Sequence, residues 1–350
     1  MSGKIVWLLF AAAFLARAIL VLTRPDTGDT FHDEPGQVAI ALSQGNGFAD
    51  PYVVPTGPTA HVAPVVPLLL AFFIKIFGST DSAWIASQLV SCLVAAGYAA
   101  LLLVVAPRVG LRWPTGLIAA TLAAVPLFLW TETNGKFETI YILAALTLLV
   151  ALTSSRLVRY AKGDDTGGWA GLGVAWGLGL LISPTLILPL LAMVGLSLIS
   201  RMNGIQRLSL RPASILVATA VAVVLPYSIE RSIRIGGPVF VRSNLGLELF
   251  ISNNDEAYAT YNANMASRRV LHRWHPMAVR AEALRVRAMG EGPYHTDMRR
   301  RATEWIRAHP AAFGRLTLGR IKEFWFPASP STVKVAFLGG LSIAGISWLV

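Results

Sequence analysis

Long apolar runs constrain this chain more than any other feature, because they are long enough to cross a membrane. A helix needs about 20 apolar residues to span a bilayer core, where backbone groups must be hydrogen-bonded within the segment. Such runs occupy residues 5–23, 82–105, 115–130, 138–154, 213–230 and 331–350. A longer run at 169–200 is interrupted by Ser183-Pro184, so we interpret it as a hairpin of two short helices. The sequence therefore predicts an all-α polytopic membrane protein with eight crossings.

Composition agrees with a membrane protein and narrows its partners. Only 14% of the residues are charged, against about a quarter in a soluble domain. The net charge is +11, but the sequence shows no soluble basic domain that could hold nucleic acid. We therefore expect anionic lipid headgroups and phosphate-bearing substrates as the partners of these charges. Cys92 is the single cysteine and lies in an apolar run, which excludes an internal disulfide. Apart from His272 and His275, the six histidines show no metal-ligand spacing, so no cofactor is predicted and a divalent metal stays open but unsupported.

The distribution of basic residues predicts the orientation. The loops after 82–105, 138–154 and 169–200 are basic and are expected to be cytoplasmic, whereas the loop 24–60 carries five acids against Arg24. These assignments agree only if residues 62–78 do not cross, so we interpret them as an interfacial or re-entrant helix on the outer side. The expected domains are a transmembrane catalytic module at 1–230 with a first outer loop at 24–81, an outer cap at 231–329, and a final helix at 331–350. Helical spacing predicts cap helices at about 277–289 and 296–308.

The first candidate site is the pair Asp33-Glu34, about ten residues beyond the first apolar run. A carboxylate at a membrane face can act as a general base for a hydroxyl acceptor. The alternative is that the two acids only begin a short interfacial helix, where negative charge suits the helix dipole. That helix is expected to end at Gly45 and Gly47.

A second acidic position is Glu138, at the mouth of the 138–154 helix. A carboxylate at that depth is usually functional or paired. The alternative is a helix-start acid paired with Lys136. Arg17, inside the first apolar run, is expected to extend its charge to the interface, or to reach a lipid phosphate.

A third candidate region follows the 213–230 helix and is rich in arginine and asparagine. A guanidinium matches the oxygens of a phosphate, so arginines at a helix exit can clamp one. The alternative is that they only anchor the chain at the membrane surface. The residues concerned are Arg231, Arg234, Arg242, Asn244, Asn253 and Asn254.

A series of motifs resembles a known family. The acidic pair is followed by GNGF at 45–48, GPTAHVAPVVPLLLAFFIKIFG at 57–78, Phe137-Glu138-Thr139, GLGLLISPTLILP at 177–189, LPYSIERSIRIGGPVFVRSNLGLELFISNN at 225–254 and RATEWIRAHPAAFGRLTLGRIKEFWFP at 301–327. In this order the motifs are similar to polyprenyl-phosphate-sugar-dependent glycosyltransferases of the GT-C class. The resemblance is to family-39-like bacterial enzymes, with lipid A aminoarabinose transferases and protein O-mannosyltransferases further off. Relatives often continue with more helices, so a short or truncated chain is expected.

The resemblance implies a GT-C-type helical bundle with juxtamembrane helices and a small C-terminal outer domain. It maps the catalytic base to Asp33 or Glu34, with a slight preference for Asp33. The residues expected to bind substrate in such a reaction are Glu138, Lys136, His61, Arg231, Arg234, Arg242, Asn244, Asn253 and Asn254. The chain departs from the family at Gln37, where an aromatic residue is common, and at Pro226-Tyr227 followed by Glu230-Arg231.

The expected activity is inverting transfer of a monosaccharide from polyprenyl phosphate to a hydroxyl of a glycan, lipid or protein. It would take place at the outer face of the cytoplasmic membrane, without nucleotide or obligatory metal. The alternative is a carrier of lipid-linked glycans without chemistry. The clustering of polar residues at one face, and the lack of a visible inverted repeat, argue against the carrier.

Overall fold

The structure, a computed structural model, describes residues 3–23, 31–125, 138–163, 167–199, 208–260, 263–264 and 271–325. The regular structure of these residues is helical. The helices are α1 (Gly3–Thr23), α2 (Glu34–Ser43), α3 (Val65–Phe77), α4 (Asp81–Val105), α5 (Trp113–Ala124), α6 (Thr139–Ala161), α7 (Trp169–Ile182), α8 (Ile187–Ile199), α9 (Leu210–Ile235), α10 (Leu245–Ser252), α11 (Leu271–Trp274), α12 (Arg280–Met289), α13 (Glu291–Ala308) and α14 (Pro310–Trp325).

Four of the described helices, namely α1, α4, α6 and α9, are long and apolar enough to cross a membrane. The shorter apolar helices are α3, α5, α7 and the segment Pro184–Ile199. The predicted break in the 169–200 run is confirmed, because α7 ends at Ile182, Ser183 is extended and a short 3₁₀ turn begins at Pro184. The chain is thus an all-α polytopic membrane protein. The predicted last crossing at 331–350 lies outside the described residues.

The described residues form two compact units. The first is drawn from residues 1–51 and 57–243, and the second from residues 52–56 and 244–350. The helices α1 to α9 belong to the first unit and α10 to α14 to the second.

The direction of the helices in the first unit follows from contacts at their ends. Arg17, in the last third of α1, donates hydrogen bonds to the main-chain oxygens of Ala123 (2.7 Å) and Ala124 (2.6 Å) at the end of α5. A Cβ on Gly116, in the first turn of α5, would lie 2.5 Å from the Cβ of Ala106, just after α4, and α5 packs back along α4, so the two helices are antiparallel. The end of α1 therefore lies beside the start of α4, at the same end of the bundle.

This finding corrects the expectation for Arg17. Its side chain is fully buried and does not extend to the membrane surface. The last carbonyl groups of an α-helix have no partner within the helix and carry the negative end of its dipole. The Arg17 guanidinium donates hydrogen bonds to two of these carbonyl groups at the end of α5. These bonds offset the cost of burying the positive charge.

Contacts at the two ends of α6 show its direction in the same way. Tyr141 in the first turn of α6 shares a hydrogen bond of 2.9 Å with Ser91, in the first half of α4, and Glu138 directly precedes α6. We call this the Glu138 end of the first unit; α1 and α5 end there and α4 and α6 begin there. The opposite end of α6 meets the start of α7, where Trp169 packs against Tyr160.

Two glycines bring α7 and α9 into close contact. A Cβ on Gly173 would lie 2.4 Å from the main-chain oxygen of Leu216, and one on Gly177 would lie 2.8 Å from that of Ala220. Because both positions advance together along the two helices, α7 and α9 run parallel. Small residues four apart allow this approach within a membrane.

We predict that Gly173→Ala destabilises the first unit by about 1–3 kcal/mol, the range for overpacking against groups that cannot move aside. The added methyl would lie 1.8 Å from the Thr219 hydroxyl and 2.4 Å from the Leu216 main-chain oxygen, and the helix carbonyl cannot move aside as a side chain can. Thermal unfolding of the purified protein in detergent measures the loss. Gly171→Ala, on the same helix but facing open space, is the matched control and should be neutral or slightly stabilising. Equal midpoints for the two variants would show that α7 and α9 are not held this closely.

The orientation in the membrane remains a prediction with a direct test. Ser79 precedes α4 and Thr115 lies in the first turn of α5, so they mark opposite ends of α4, and both are exposed. In a Cys92→Ala background, we expect Ser79→Cys to react with an impermeant thiol reagent on intact cells. Thr115→Cys should react only after the membrane is opened. The reverse pattern would place the Glu138 end in the cytoplasm.

The second unit packs around a small apolar core. Its buried members include Leu247 of α10, Val286 of α12 and Met298 of α13. Arg301 lies over the rings of Phe250 and Trp274, at 4.3 and 4.9 Å from their centroids. Helices α12 and α13 confirm the two helical stretches predicted in the cap.

His295 makes the second unit sensitive to acid. Burial, together with a smaller effect of the nearby charge of His275, lowers the pKa of His295 to about 3. In the unfolded chain the His295 imidazole has an ordinary pKa of about 6.5. The stability that neutral His295 contributes is therefore fully present above pH 6.5 and is lost as the pH falls towards 3. We expect the free energy of unfolding to decrease by about 1.4 kcal/mol for each pH unit below 6.5.

Hydrogen exchange of peptides from α10 and α13, compared between about pH 7 and pH 5 after correction for intrinsic rates, reports on this unit alone. His295→Leu removes the titrating group and should flatten the dependence. An equally steep loss of protection in that variant would assign the acid sensitivity to other groups.

Candidate functional site

The acidic pair is held by an unusual local backbone. Phe31 has a left-handed conformation (φ 63°), and its ring packs edge-on against Trp84. A Cβ on Gly36 would lie 2.5 Å from the Cα of Phe31, so only glycine fits there. Gln37 donates from its side-chain amide to the main-chain oxygen of Phe31 (2.9 Å), which explains the departure from an aromatic residue at this position. Such strained backbone is retained where the surrounding contacts over-determine it.

The two acids of the pair have different positions. Asp33 is the N-cap of α2, and its Oδ1 accepts a hydrogen bond from the main-chain N–H of Gly36 (2.8 Å). Glu34 is the first residue of α2 and is half-buried. The helix-start alternative therefore describes Asp33 as the N-cap, and Glu34 is the acidic residue of the first turn.

His61 lies next to Glu34. The side chain of His61 is buried, and one of its ring nitrogens is within 4.8 Å of a Glu34 carboxylate oxygen. The main-chain N–H of His61 donates to the hydroxyl of Thr59 (2.9 Å), which fixes the backbone before α3.

Arg231 fastens this loop to the end of α9. Its Nη1 donates to the main-chain oxygens of Phe48 (2.9 Å) and Thr59 (3.2 Å). Its Nε and Nη2 pair with both carboxylate oxygens of Glu230. With these bonds the guanidinium uses all three of its nitrogens, so Arg231 stabilises the loop and has little capacity left for a phosphate.

Arg242 and Glu138 are brought together although they are far apart in the sequence. The Arg242 Nη1 lies 3.6 Å from the Glu138 Oε1, and its Nε donates to the main-chain oxygen of His61 (3.0 Å). Glu138 precedes α6 but does not cap it, because its side chain makes no hydrogen bond to the helix start. Both side chains are partly exposed (26% and 13%), so a ligand can reach the pair. Within the described parts of the chain, the Nη2 of Arg242 makes no hydrogen bond.

Sequence reasoning did not single out Glu230. It pairs with Arg231 and also lies 3.3 Å from Arg234, which is 64% exposed. The spacing of Glu230 and Arg234, four residues apart in a helix, is the signal that predicts such a pair. Lys136, the proposed partner of Glu138, lies outside the described residues.

The three asparagines belong to the second unit and hold its first helix. Asn244 precedes α10 and donates to Glu248 (3.2 Å). Asn254 donates from its amide to the main-chain oxygens of Phe250 (2.8 Å) and Ile251 (3.1 Å), which closes the end of α10. Asn253 donates to Leu249 in the same way. These are structural bonds, and they use the amide hydrogens that a substrate would need.

Comparison with known proteins gives one match. Residues 61–229, just under half of the chain, match the family model of dolichyl-phosphate-mannose-protein mannosyltransferases. The matched segment contains His61 and Glu138 but not the acidic pair or Arg242. No curated protein and no solved structure matches the chain. Over these residues the chain is similar to membrane glycosyltransferases that use a polyprenyl-phosphate sugar.

Proposed function

We propose that the protein is an inverting glycosyltransferase of the GT-C class that transfers a monosaccharide from polyprenyl phosphate to a hydroxyl acceptor. The observation that carries the proposal is a continuous set of contacts at the Glu138 end of the first unit. It runs from Glu34 to His61, from the His61 main-chain oxygen to Arg242, and from Arg242 to Glu138. A base and a cation at one site are what such a transfer needs.

In this proposal Glu34 is the general base. The base must stay ionised and within hydrogen-bond reach of the acceptor. One carboxylate oxygen of Asp33 already accepts a hydrogen bond at the start of α2, which makes Asp33 less suitable. The neighbouring His61 would orient the Glu34 carboxylate. This choice differs from the slight preference for Asp33 that the resemblance implies.

Arg242 holds the leaving phosphate in this proposal. When the acceptor oxygen attacks the anomeric carbon, the bond from that carbon to the phosphate oxygen breaks, and negative charge develops on the phosphate. A guanidinium placed there in advance stabilises the charge. Among the described residues, the Nη2 of Arg242 has no hydrogen-bond acceptor, so it can donate to the phosphate. The contact with Glu138 keeps the guanidinium group in position. Arg234, which is largely exposed, supplies a second cation at the same end of α9.

The proposed site faces the outside of the cytoplasmic membrane, and the acceptor is a glycan, a lipid or a protein. The reaction as drawn consumes no nucleotide and uses no metal. Unchanged activity in the presence of a chelator is the expected result.

The test uses the purified full-length protein with polyprenyl-phosphate mannose as the first donor, because mannose is named in the matching family. The glucose and arabinose analogues follow. Release of polyprenyl phosphate with appearance of a glycoside of inverted anomeric configuration supports the proposal. A glycoside of retained configuration contradicts the direct attack. Movement of the intact lipid-linked sugar across vesicles without release would make the protein a carrier.

A further inference from the structure

The second unit contains a cavity that the proposed transfer does not use. It has a volume of about 290 Å³ and lies between the segment after α10 and the helices α13 and α14. We call it the Trp305 cavity. The residues that matter for the argument are Asp255, Trp305, His309, Ala312, Arg315 and Leu316.

One wall of the Trp305 cavity is aromatic. The rings of Trp305 and His309 stack at 5.1 Å between centroids, with 29° between their planes. The indole N–H of Trp305 donates to the Oδ1 of Asp255 (2.7 Å), which fixes the indole ring. The His309 ring nitrogen Nδ1 lies 3.1 Å from the main-chain oxygen of Trp305, which holds the second ring. The aromatic wall is therefore ordered before any ligand arrives.

The cavity also presents two charged groups of opposite sign. Asp255 and Arg315 are both exposed. In the part of the chain that the structure describes, the Arg315 guanidinium makes no hydrogen bond or ion pair, and Asp255 makes only the bond to Trp305. A carboxylate accepts hydrogen bonds and a guanidinium donates them, so the cavity offers both functions around an apolar surface.

This combination selects the class of ligand. Asp255 disfavours a phosphate or another anion, and Arg315 disfavours a cation. A hydroxyl group both donates and accepts, so neighbouring hydroxyls of one ring can satisfy the two side chains together. The C–H face of a sugar ring fits an aromatic wall, and the volume is close to the lower limit of about 300 Å³ for small-ligand sites.

We propose that the Trp305 cavity binds an uncharged carbohydrate. In the transferase proposed above it would hold part of an acceptor glycan, a step that rests on the proposed function. The binding itself does not rest on it.

The experiment probes the purified full-length protein against a printed panel of neutral oligosaccharides, together with vesicles of anionic phospholipid. We expect wild type to bind a subset of the panel. Arg315→Ala and Asp255→Asn should each weaken that binding about ten-fold or more, the usual loss for a hydrogen bond to a charged group. Neither should move the unfolding temperature, because Arg315 has no partner among the described residues and asparagine can still accept from Trp305. Arg307→Ala, an exposed arginine of α13 outside the cavity, is the matched control and should bind as wild type does.

Three results would overturn the proposal. They are a wild type that binds no oligosaccharide, cavity variants that bind the panel as wild type does, or binding to phospholipid alone that Arg315→Ala removes. The release of polyprenyl phosphate, measured on the same preparations, separates this failure from failure of the transferase. A protein that releases the lipid phosphate but binds no glycan retains the proposed function and loses only the cavity's role.

Discussion

Replacing Glu34 by glutamine is expected to lower the rate of sugar transfer by about 10²–10⁴-fold, the usual effect of losing a general base. The amide keeps the shape of the side chain and removes its basicity. Binding of the donor and the unfolding temperature should change little, because the N-cap of α2 is Asp33, which this variant leaves in place. The rate is measured under saturating donor, so that weaker binding does not contribute.

Asp33→Asn is the matched control for this experiment. Asparagine caps a helix as well as aspartate does, so the variant removes the same charge one residue away and leaves α2 intact. We expect a loss of less than about ten-fold, small beside the range for a lost base. If Asp33→Asn abolishes transfer while Glu34→Gln does not, the base is Asp33, as the resemblance prefers. A double amide variant with the wild-type rate would contradict the mechanism as a whole.

The second large effect is expected at Arg242. Arg242→Ala should lower the rate about 10–100-fold, because a charge-assisted hydrogen bond to a partly buried group is worth about 1.5–3 kcal/mol. If the bond forms mainly with the leaving phosphate, kcat falls and the KM for the donor changes little. Arg242→Lys keeps the charge but not the planar guanidinium, and should recover only part of the rate.

Glu138→Gln tests whether the ion pair matters to the arginine. In a double-mutant cycle, the Glu138 and Arg242 substitutions should be non-additive, because Glu138 acts through the arginine. Arg159→Ala, an exposed arginine at the other end of α6, is the control for loss of one positive charge. Wild-type kcat and KM in Arg242→Ala would reduce Arg242 to an anchor of the loop before α3.

Much of the fold could be predicted because its causes are local. The interruption at Ser183-Pro184 follows from the geometry of proline, and the helix α2 follows from its acidic start and the glycines at 45 and 47. The non-crossing interpretation of residues 62–78 came from loop charge, and the contact of Arg17 with the end of α5 agrees with it.

The error at Arg17 has a physical cause. From sequence, an arginine in an apolar helix has only the membrane surface as a partner. The partner it has is a pair of carbonyl groups more than 100 residues later, at the end of another helix. The residues around Arg17 in the sequence contain no signal that would predict such a distant partner.

The same distinction applies to the site. The sequence by itself determined a helical membrane protein and the residue types that could serve as base and phosphate clamp, because apolar length and charge are readable along the chain. Only the tertiary structure decided the partners of the arginines. Arg231 binds main-chain oxygens of the loop before α3, whereas Arg242 lies beside Glu138. It also separated Asp33, which caps α2, from Glu34, which lies beside His61. These roles depend on hydrogen bonds between distant segments, and such bonds exist only once the helices have packed.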